Sequence, residues 1–369
     1  MRIGLIIYGR LDQRSGGYLY NRKLVEYLRR RGHRVQVVSL PWQTYWQHLA
    51  DNFSSELFQH LRKLRVDLLL EDELNHPSLF LLNSQLKKQV SYSIVSIVHL
   101  LRATESHPFP LSWLYRSVER RYLNSVDGFV FNSEDTRRAV GRMLARCKLF
   151  VVARPGGDRL HPKMTPAQIR ARAKQPGPLR IVFLGNLIRR KAPHLLLAAA
   201  ARLRGDVHID FAGRTDMEPA CVRGLQRAVA GHRLQRYVRF HGYLDGPELA
   251  NLLRRSQVLV MISSYEGFGI AYLEGMGFGL PAVGTRAGAA REIVHHANNG
   301  YLIDPGDAGQ LTSLLQRLHK DRVLLTRLSL GALETYKKGP GWQGSMQRVE
   351  NFISRYNRPS RSRIRSEEP

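Results

Sequence analysis

Short apolar runs separated by stretches of helical periodicity recur along most of this chain, and that alternation constrains the fold more than any single motif. RIGLIIYG (2–9) is a β-rich run followed by the loop RLDQRSGG. Leu19, Leu24, Val25 and Leu28 then fall in helical spacing, Gly32 stands where a helix C-terminal cap belongs, and VQVVSL (35–40) is a second strand. Strand, helix, strand is the unit from which parallel, doubly wound sheets are built. VDLLLE (66–71), YSIVSIVH (92–99), GFVFNS (128–133) and KLFVVARPGGD (148–158) extend the series. Residues 161–179 are rich in Pro, Lys and Arg and poor in large apolar side chains. After them the pattern restarts with strands near 180–186, 207–213, 238–244, 258–263, 281–285 and 300–304, and helices over 195–204 and near 218–230.

The expected architecture is therefore α/β: two doubly wound parallel-sheet, Rossmann-like domains facing each other across a cleft. Residues 1–160 form the first domain, 161–179 a linker and 180–358 the second, with the last helix free to pack back on the first. Residues 359–369 read as a basic, disordered tail. A chain of 369 residues with 43% hydrophobic residues suits two full-sized cores. Ligands of open α/β sheets bind at the carboxyl ends of the strands, so the loops after strands are where chemistry is expected.

Lys and Arg number 57 against 30 Asp and Glu, a formal charge of +27. Such a field attracts nucleic acids, anionic membranes or acidic substrates. The arginines are spread along the chain, with no zinc-finger spacing and no RRM-type aromatic motif, so nucleic acid is set aside as a partner. A general arginine bias is the competing explanation of the charge. The two cysteines, Cys147 and Cys221, are far apart, which excludes a disulfide framework and fits a reducing cytosol. No apolar run approaches the length of a spanning helix. The segment 111–126 carries Leu111, Leu114, Val118 and Tyr122 on one helical face, with Arg116, Arg120 and Arg121 elsewhere. A basic amphipathic helix lies on anionic bilayers; a core-packed helix with a solvated basic face is the alternative.

The most unusual stretch is SSYEGFGIAYLEGMGFGLP (263–281), with five glycines and two carboxylates, Glu266 and Glu274, eight positions apart. A glycine-rich turn opening a helix offers backbone N–H groups to an anion. Carboxylates accept paired hydroxyl hydrogens. A phosphate flanked by polyols reconciles the two, which describes a nucleotide sugar.

Glu266-Gly-Phe-Gly269 through Glu274, then Met276, Gly279, Pro281 and Gly288, resembles the E-x7-E signature of family 4 retaining glycosyltransferases, whose fold is the two-Rossmann B type. RGHRV (31–35), VDGFVFNSE (126–134), RPGGD (154–158), FLGNLIRRKAP (183–193), FHGYLDGPELANLL (240–252) and GYLIDPGD (300–307) extend the resemblance over nearly the whole chain. It implies that Glu274 binds the ribose hydroxyls and Glu266 the transferred sugar. Gly267 and the amides of Phe268, Gly269 and Ile270 would hold the diphosphate and sugar, and Lys191 would neutralise the leaving diphosphate. Where the family carries an arginine five residues before that lysine, this chain has Asn186, with Arg189 or Arg190 as replacements for the lost charge. His99, ending SIVSIV, matches a histidine that positions the transferred sugar, followed here by Leu100 in place of an aspartate. Gly16 and Gly17 would let the first loop approach the diphosphate, and Arg286 lies in a loop near the nucleotide. Asp158 reads as part of an interdomain hinge.

The functional expectation is a retaining hexosyltransferase acting from a nucleotide diphosphate sugar onto a hydroxyl acceptor, either a glycan or a lipid-linked precursor. No cofactor is implied, and no metal-ligand spacing or DxD-like motif is present. The expected location is the cytoplasm, with peripheral attachment to the inner membrane face as an option. A nucleotide-sugar epimerase or phosphorylase on the same fold is the enzymatic alternative, and a non-catalytic basic protein binding membrane or nucleic acid is the other.

Overall fold

The computed structural model describes residues 1–105 and 107–357; the tail expected over 359–369 lies outside the described residues. The chain divides into two compact units, Met1–Pro155 together with the segment from Trp342 onward, and Gly156–Gly341.

In the first unit β1 (Arg2–Tyr8), β2 (Arg34–Leu40), β3 (Leu68–Asp72), β4 (Ser93–Val98), β5 (Gly128–Phe131) and β6 (Leu149–Val152) form one parallel sheet in the order β2-β1-β3-β4-β5-β6. β1 runs in register with β2 from Arg2 opposite Arg34 to Tyr8 opposite Leu40. Ile3, Leu5, Ile6 and Ile7 are fully buried, as a strand covered by helices on both faces requires. The helix Gly16–Arg30 is N-capped by Ser15, whose hydroxyl accepts the Tyr18 N–H. Gly16 and Gly17 are thus the first helical residues rather than loop residues, because the cap sits one position before them. The chain reverses its direction across the sheet between β1 and β3, so the loops after these strands diverge and leave a crevice at their carboxyl ends.

The second unit repeats the plan. β7 (Leu179–Leu184), β8 (Val207–Ala212), β9 (Val238–Phe240), β10 (Val258–Met261), β11 (Ala282–Thr285) and β12 (Gly300–Ile303) form a parallel sheet in the order β12-β11-β10-β7-β8-β9. Its reversal falls between β7 and β10, which places the loops after those two strands at the crevice.

One boundary differs from the sequence expectation, and the last helix returns to the first unit as that expectation allowed. The segment 161–179 is not a free linker: it carries the helix Pro166–Ala173, opened by a Thr165–Gln168 capping box. Ile169 and Ala173 are buried in the second unit, and the Arg172 guanidinium donates to the Gly279 carbonyl at 2.8 Å and the Arg254 carbonyl at 3.2 Å. Its arginines disguised it, since one of them satisfies buried carbonyls instead of facing water. At the other end, the helix Trp342–Ile353 belongs to the first unit. There the Glu350 carboxylate accepts from the Tyr27 hydroxyl at 2.9 Å and lies 3.0 Å from His33 Nε2, and Ser345 donates to the Arg154 carbonyl.

The helix Leu111–Ser125 buries Val118 and Tyr122 in the first unit, so half of its expected apolar face serves the core. Its outer side presents Trp113, Arg116 and Arg120. Cys147 and Cys221 are both free thiols. No described helix is long and apolar enough to cross a membrane.

Candidate donor site and its relatives

The loop leaving β10 runs from Ile262 to Gly269, and Gly269 opens the helix Ile270–Gly277 with φ +91°. A Cβ there would stand 2.5 Å from the Tyr272 ring, so the turn admits only glycine. Tyr272 is fully buried and donates to the Met261 carbonyl at 2.7 Å, which fixes helix to strand. The N–H groups of Phe268, Gly269 and Ile270 have no acceptor among the described residues and stand at the start of the helix, where its dipole is positive.

Lys191 arrives from the loop after β7, its ammonium 2.5 Å from Glu266 Oε2. The same oxygen accepts the Ser263 hydroxyl at 3.1 Å. Only 13% of the Lys191 side chain and 12% of the Glu266 side chain are exposed, so the pair is largely desolvated. Burial alone would push the Glu266 carboxyl up, but Lys191, Arg190 and Ser263 outweigh it and hold the group below its ordinary value. Burial pushes the Lys191 ammonium down, and Glu266 offsets part of that shift. We take the pair as ionised at neutral pH, since two cations and a hydroxyl face one carboxylate. Glu266 Oε1 has no bond within the described residues. The main chain of Glu266 is fixed as well. Ala289 N–H donates to its carbonyl at 2.8 Å, and Gly288, at φ +71°, packs so closely that a Cβ would lie 2.2 Å from that oxygen.

Glu274 sits inside the helix, 4% exposed, and its Oε1 accepts Arg159 Nε at 2.8 Å. The other end of Arg159 pairs with Asp245. Burial raises the Glu274 carboxyl and Arg159 restrains the rise. Burial opposes the Arg159 charge, yet Glu274 and Asp245 hold it above its ordinary value. Each glutamate therefore has one oxygen held by a cation and the other open. Arg159 escaped the sequence reading because nothing in RPGGDRL shows that the short turn Asp158–Leu160 brings it against the helix Ile270–Gly277.

The remaining expected donor residues are placed differently. The Arg190 guanidinium donates to the Tyr265 carbonyl at 2.8 Å while its own carbonyl accepts Ser264 N–H, so it braces the loop. The Asn186 amide lies 2.9 Å from Met217 Sδ. Arg286 pairs with Asp304 at 2.7 Å. Gly16, Gly17 and His99 belong to the first unit. There a Cβ on Gly17 would lie 3.1 Å from the His99 ring, and both line a cavity of about 280 Å³. His99 Nε2 lies 3.2 Å from Asn21 Oδ1, and Asn21 donates to Asp72 at 2.5 Å. Burial lowers the His99 imidazole, with Asp72 opposing, so it is neutral at pH 7. Asn21 and Asp72 were not legible as partners because they come from a helix and a strand end far apart in sequence.

Residues 164–334, the segment containing both glutamates and Lys191, match the family described as glycosyl transferases group 1. Through this segment the chain is similar to the group 1 glycosyltransferases. A "D-inositol 3-phosphate glycosyltransferase" of Pseudarthrobacter chlorophenolicus is 30% identical over 262 residues, covering 68% of this chain and 60% of the relative. The chain spans about half the length of the curated relatives of that description, from 41% to 60%. Among solved structures, a sucrose-phosphate synthase from Thermosynechococcus elongatus superimposes with a TM-score of 0.81 at 20% identity, over 96% of this chain and 98% of that one. Anabaena HepE in complex with UDP and glucose gives 0.78 at 18% identity, over 96% and 100%. These likenesses show the two-Rossmann fold of the chain.

Proposed function

We propose that this chain is a group 1 glycosyltransferase that moves a hexosyl unit from a nucleoside diphosphate sugar to a hydroxyl acceptor, with retention at the anomeric carbon. The observation that carries the reading is the pair of half-engaged carboxylates on either side of open helix-start amides. Glu274 Oε2 is available to a vicinal diol, as on ribose, and Glu266 Oε1 to hydroxyls of the transferred sugar. The amides of Phe268–Ile270 and the Lys191 ammonium receive the diphosphate between them and stabilise the charge that grows on it as the glycosidic bond breaks. Glu266 is a poor nucleophile here, because a cation and a hydroxyl hold its Oε2. Same-face attack, with the departing diphosphate accepting the proton of the acceptor hydroxyl, needs no covalent intermediate. HepE, seen with UDP and glucose, lends support to a uridine nucleotide as donor.

The test is a thermal-shift screen of UDP-, GDP- and ADP-glucose, since a ligand at 100 times its Kd stabilises the native state by about 2.7 kcal/mol. One base is expected to shift the midpoint and Glu274→Gln to abolish the shift. NMR of the product sugar then reads the anomeric configuration. Inversion would remove the retaining assignment, turnover of donor without acceptor would favour an epimerase, and no response to any nucleotide sugar would refute the reading. Attachment to an anionic membrane stays part of the proposal through Trp113, 66% exposed, beside Arg116 and Arg120 on one helix face. Flotation with phosphatidylglycerol vesicles checks it, and no binding by the wild type would remove it.

A further inference from the structure

The first unit holds a second constellation that the donor chemistry does not use. β3 ends in Asp72, whose carboxylate caps a single turn, Glu73–Asn75, and the short helix His76–Leu79 follows. The turn and helix bring Glu73 and His76 to one side. From the helix Leu111–Ser125, Glu119 projects toward them. All three side chains are buried, and one ligating atom from each lies within 4.8 Å of the others. Glu119 accepts the backbone N–H groups of Arg102 at 2.7 Å and Ala103 at 3.0 Å, which aims its carboxylate. His76 Nδ1 lies 3.1 Å from the Glu73 carbonyl, and Nε2 lies 3.4 Å from the Tyr45 hydroxyl.

Burial pushes both carboxyls up, Glu73 to about 8, so two groups this close and this deep either share a proton or ionise around a cation. The Arg102 guanidinium is centred 4.3 Å over the Tyr115 ring and 5.0 Å over that of Tyr45, and among the described residues no hydrogen bond joins it to either carboxylate. Glu73 is 3% exposed, and its Oε1, shut from solvent, lies 3.1 Å from His76 Nδ1 and makes no hydrogen bond among the described residues. That oxygen points into the cluster. Glu73 and His76 also line the 280 Å³ cavity, which supplies an entry path.

We propose that Glu73, His76 and Glu119 bind a divalent transition-series cation, Zn²⁺ or Mn²⁺. Two hard oxygens and one imidazole suit these ions, and the two negative charges balance the ion's charge. Ligand atoms around one such ion stand about 3.4 Å apart at a tetrahedral centre and up to about 4.2 Å apart when opposed, so atoms that already lie within 4.8 Å of one another reach it by side-chain rotation. Water from the cavity would fill the remaining positions. The ion would clamp the turn after β3 to the helix Leu111–Ser125, and this site is independent of the donor reaction.

The test uses the full chain, stripped with chelator and dialysed against ZnCl₂ or MnCl₂. The wild type is expected to retain one equivalent more metal than Glu119→Gln or His76→Asn, each at least tenfold weaker. Added metal is expected to raise the unfolding midpoint of the first unit, and chelator to reverse it. Anomalous diffraction at the metal edge of a soaked wild-type crystal is expected to place a peak among the three residues, which decides the matter even if the variants misfold. A peak elsewhere, equal retention by folded variants, or no uptake because a shared proton neutralises the carboxylates would each overturn the assignment.

Discussion

Replacing Lys191 with methionine keeps the length of the side chain and removes its charge, leaving Glu266 buried beside the donor turn without its main counterion. Removing one partner of a buried pair costs about 3–5 kcal/mol. Here Ser263 and Arg190 remain and the mouth of the site is open, so we expect about 2–3 kcal/mol. At about 2–4 °C per kcal/mol for a unit of this size, the second unit should melt about 4–12 °C lower. The molecule offers a convenient separation of signals. Its four tryptophans, Trp42, Trp46, Trp113 and Trp342, all belong to the first unit. Tryptophan fluorescence thus follows the first unit, while far-UV circular dichroism follows both, and the loss should appear in the second signal alone. Glu266→Gln added to Lys191→Met should restore more than half of it.

The pH dependence has a definite sign. In the wild type Glu266 is held below its ordinary value, so its contribution is complete above the unfolded carboxylate range and fades as pH falls through the lowered folded value. In Lys191→Met burial dominates and raises the carboxyl, so the variant recovers as acid protonates it. The gap between the two proteins should be widest near pH 7 and narrow toward pH 4. A gap under about 0.5 kcal/mol at pH 7, one that does not change with pH, or one carried by the tryptophan signal would refute the reasoning, since a true desolvated pair cannot behave that way.

Three further outcomes are expected. Gly288→Ala drives a methyl toward the Glu266 carbonyl from a left-handed backbone, so stability should fall by about 2–4 kcal/mol and donor-induced thermal shifts should vanish. Arg159→Ala removes the restraint on Glu274, whose carboxyl should rise further; donor affinity measured by calorimetry should then be lost at higher pH on acidification than in the wild type. Glu350→Gln loosens the helix Trp342–Ile353 from Tyr27, His33 and Arg31, costing about 1–2 kcal/mol in the fluorescence transition near neutral pH. That loss should shrink on acidification, because these three partners together overcome burial and hold the wild-type Glu350 carboxyl below its usual value.

All twelve strands were legible because each is a short, β-rich apolar run set between helical patterns, a signal that survives without tertiary information. The loop after β10 stood out in the sequence because its glycines and glutamates sit within one segment, while the roles proposed for them rest on a family resemblance. The segment 161–179 misled because arginine usually marks solvent, whereas Arg172 serves two buried carbonyls. Arg159, Asn21 and Asp72 act through contacts across distant elements, and no local pattern encodes those. Glu73, His76 and Glu119 escaped for the same reason: Glu73 and His76 are near neighbours in sequence, but Glu119 joins them only through packing.

The route of the chain between its two units bears on how it is made. The first unit opens the sequence, yet one of its helices, Trp342–Ile353, is synthesised only after the whole of Gly156–Gly341. The contiguous second unit is therefore complete in sequence while the first still lacks the helix that packs against Gly16–Arg30. Until then Tyr27 and His33 wait for Glu350, and Tyr20 for Trp342. The nascent first unit is consequently the stage at which chaperone engagement and misassembly are concentrated.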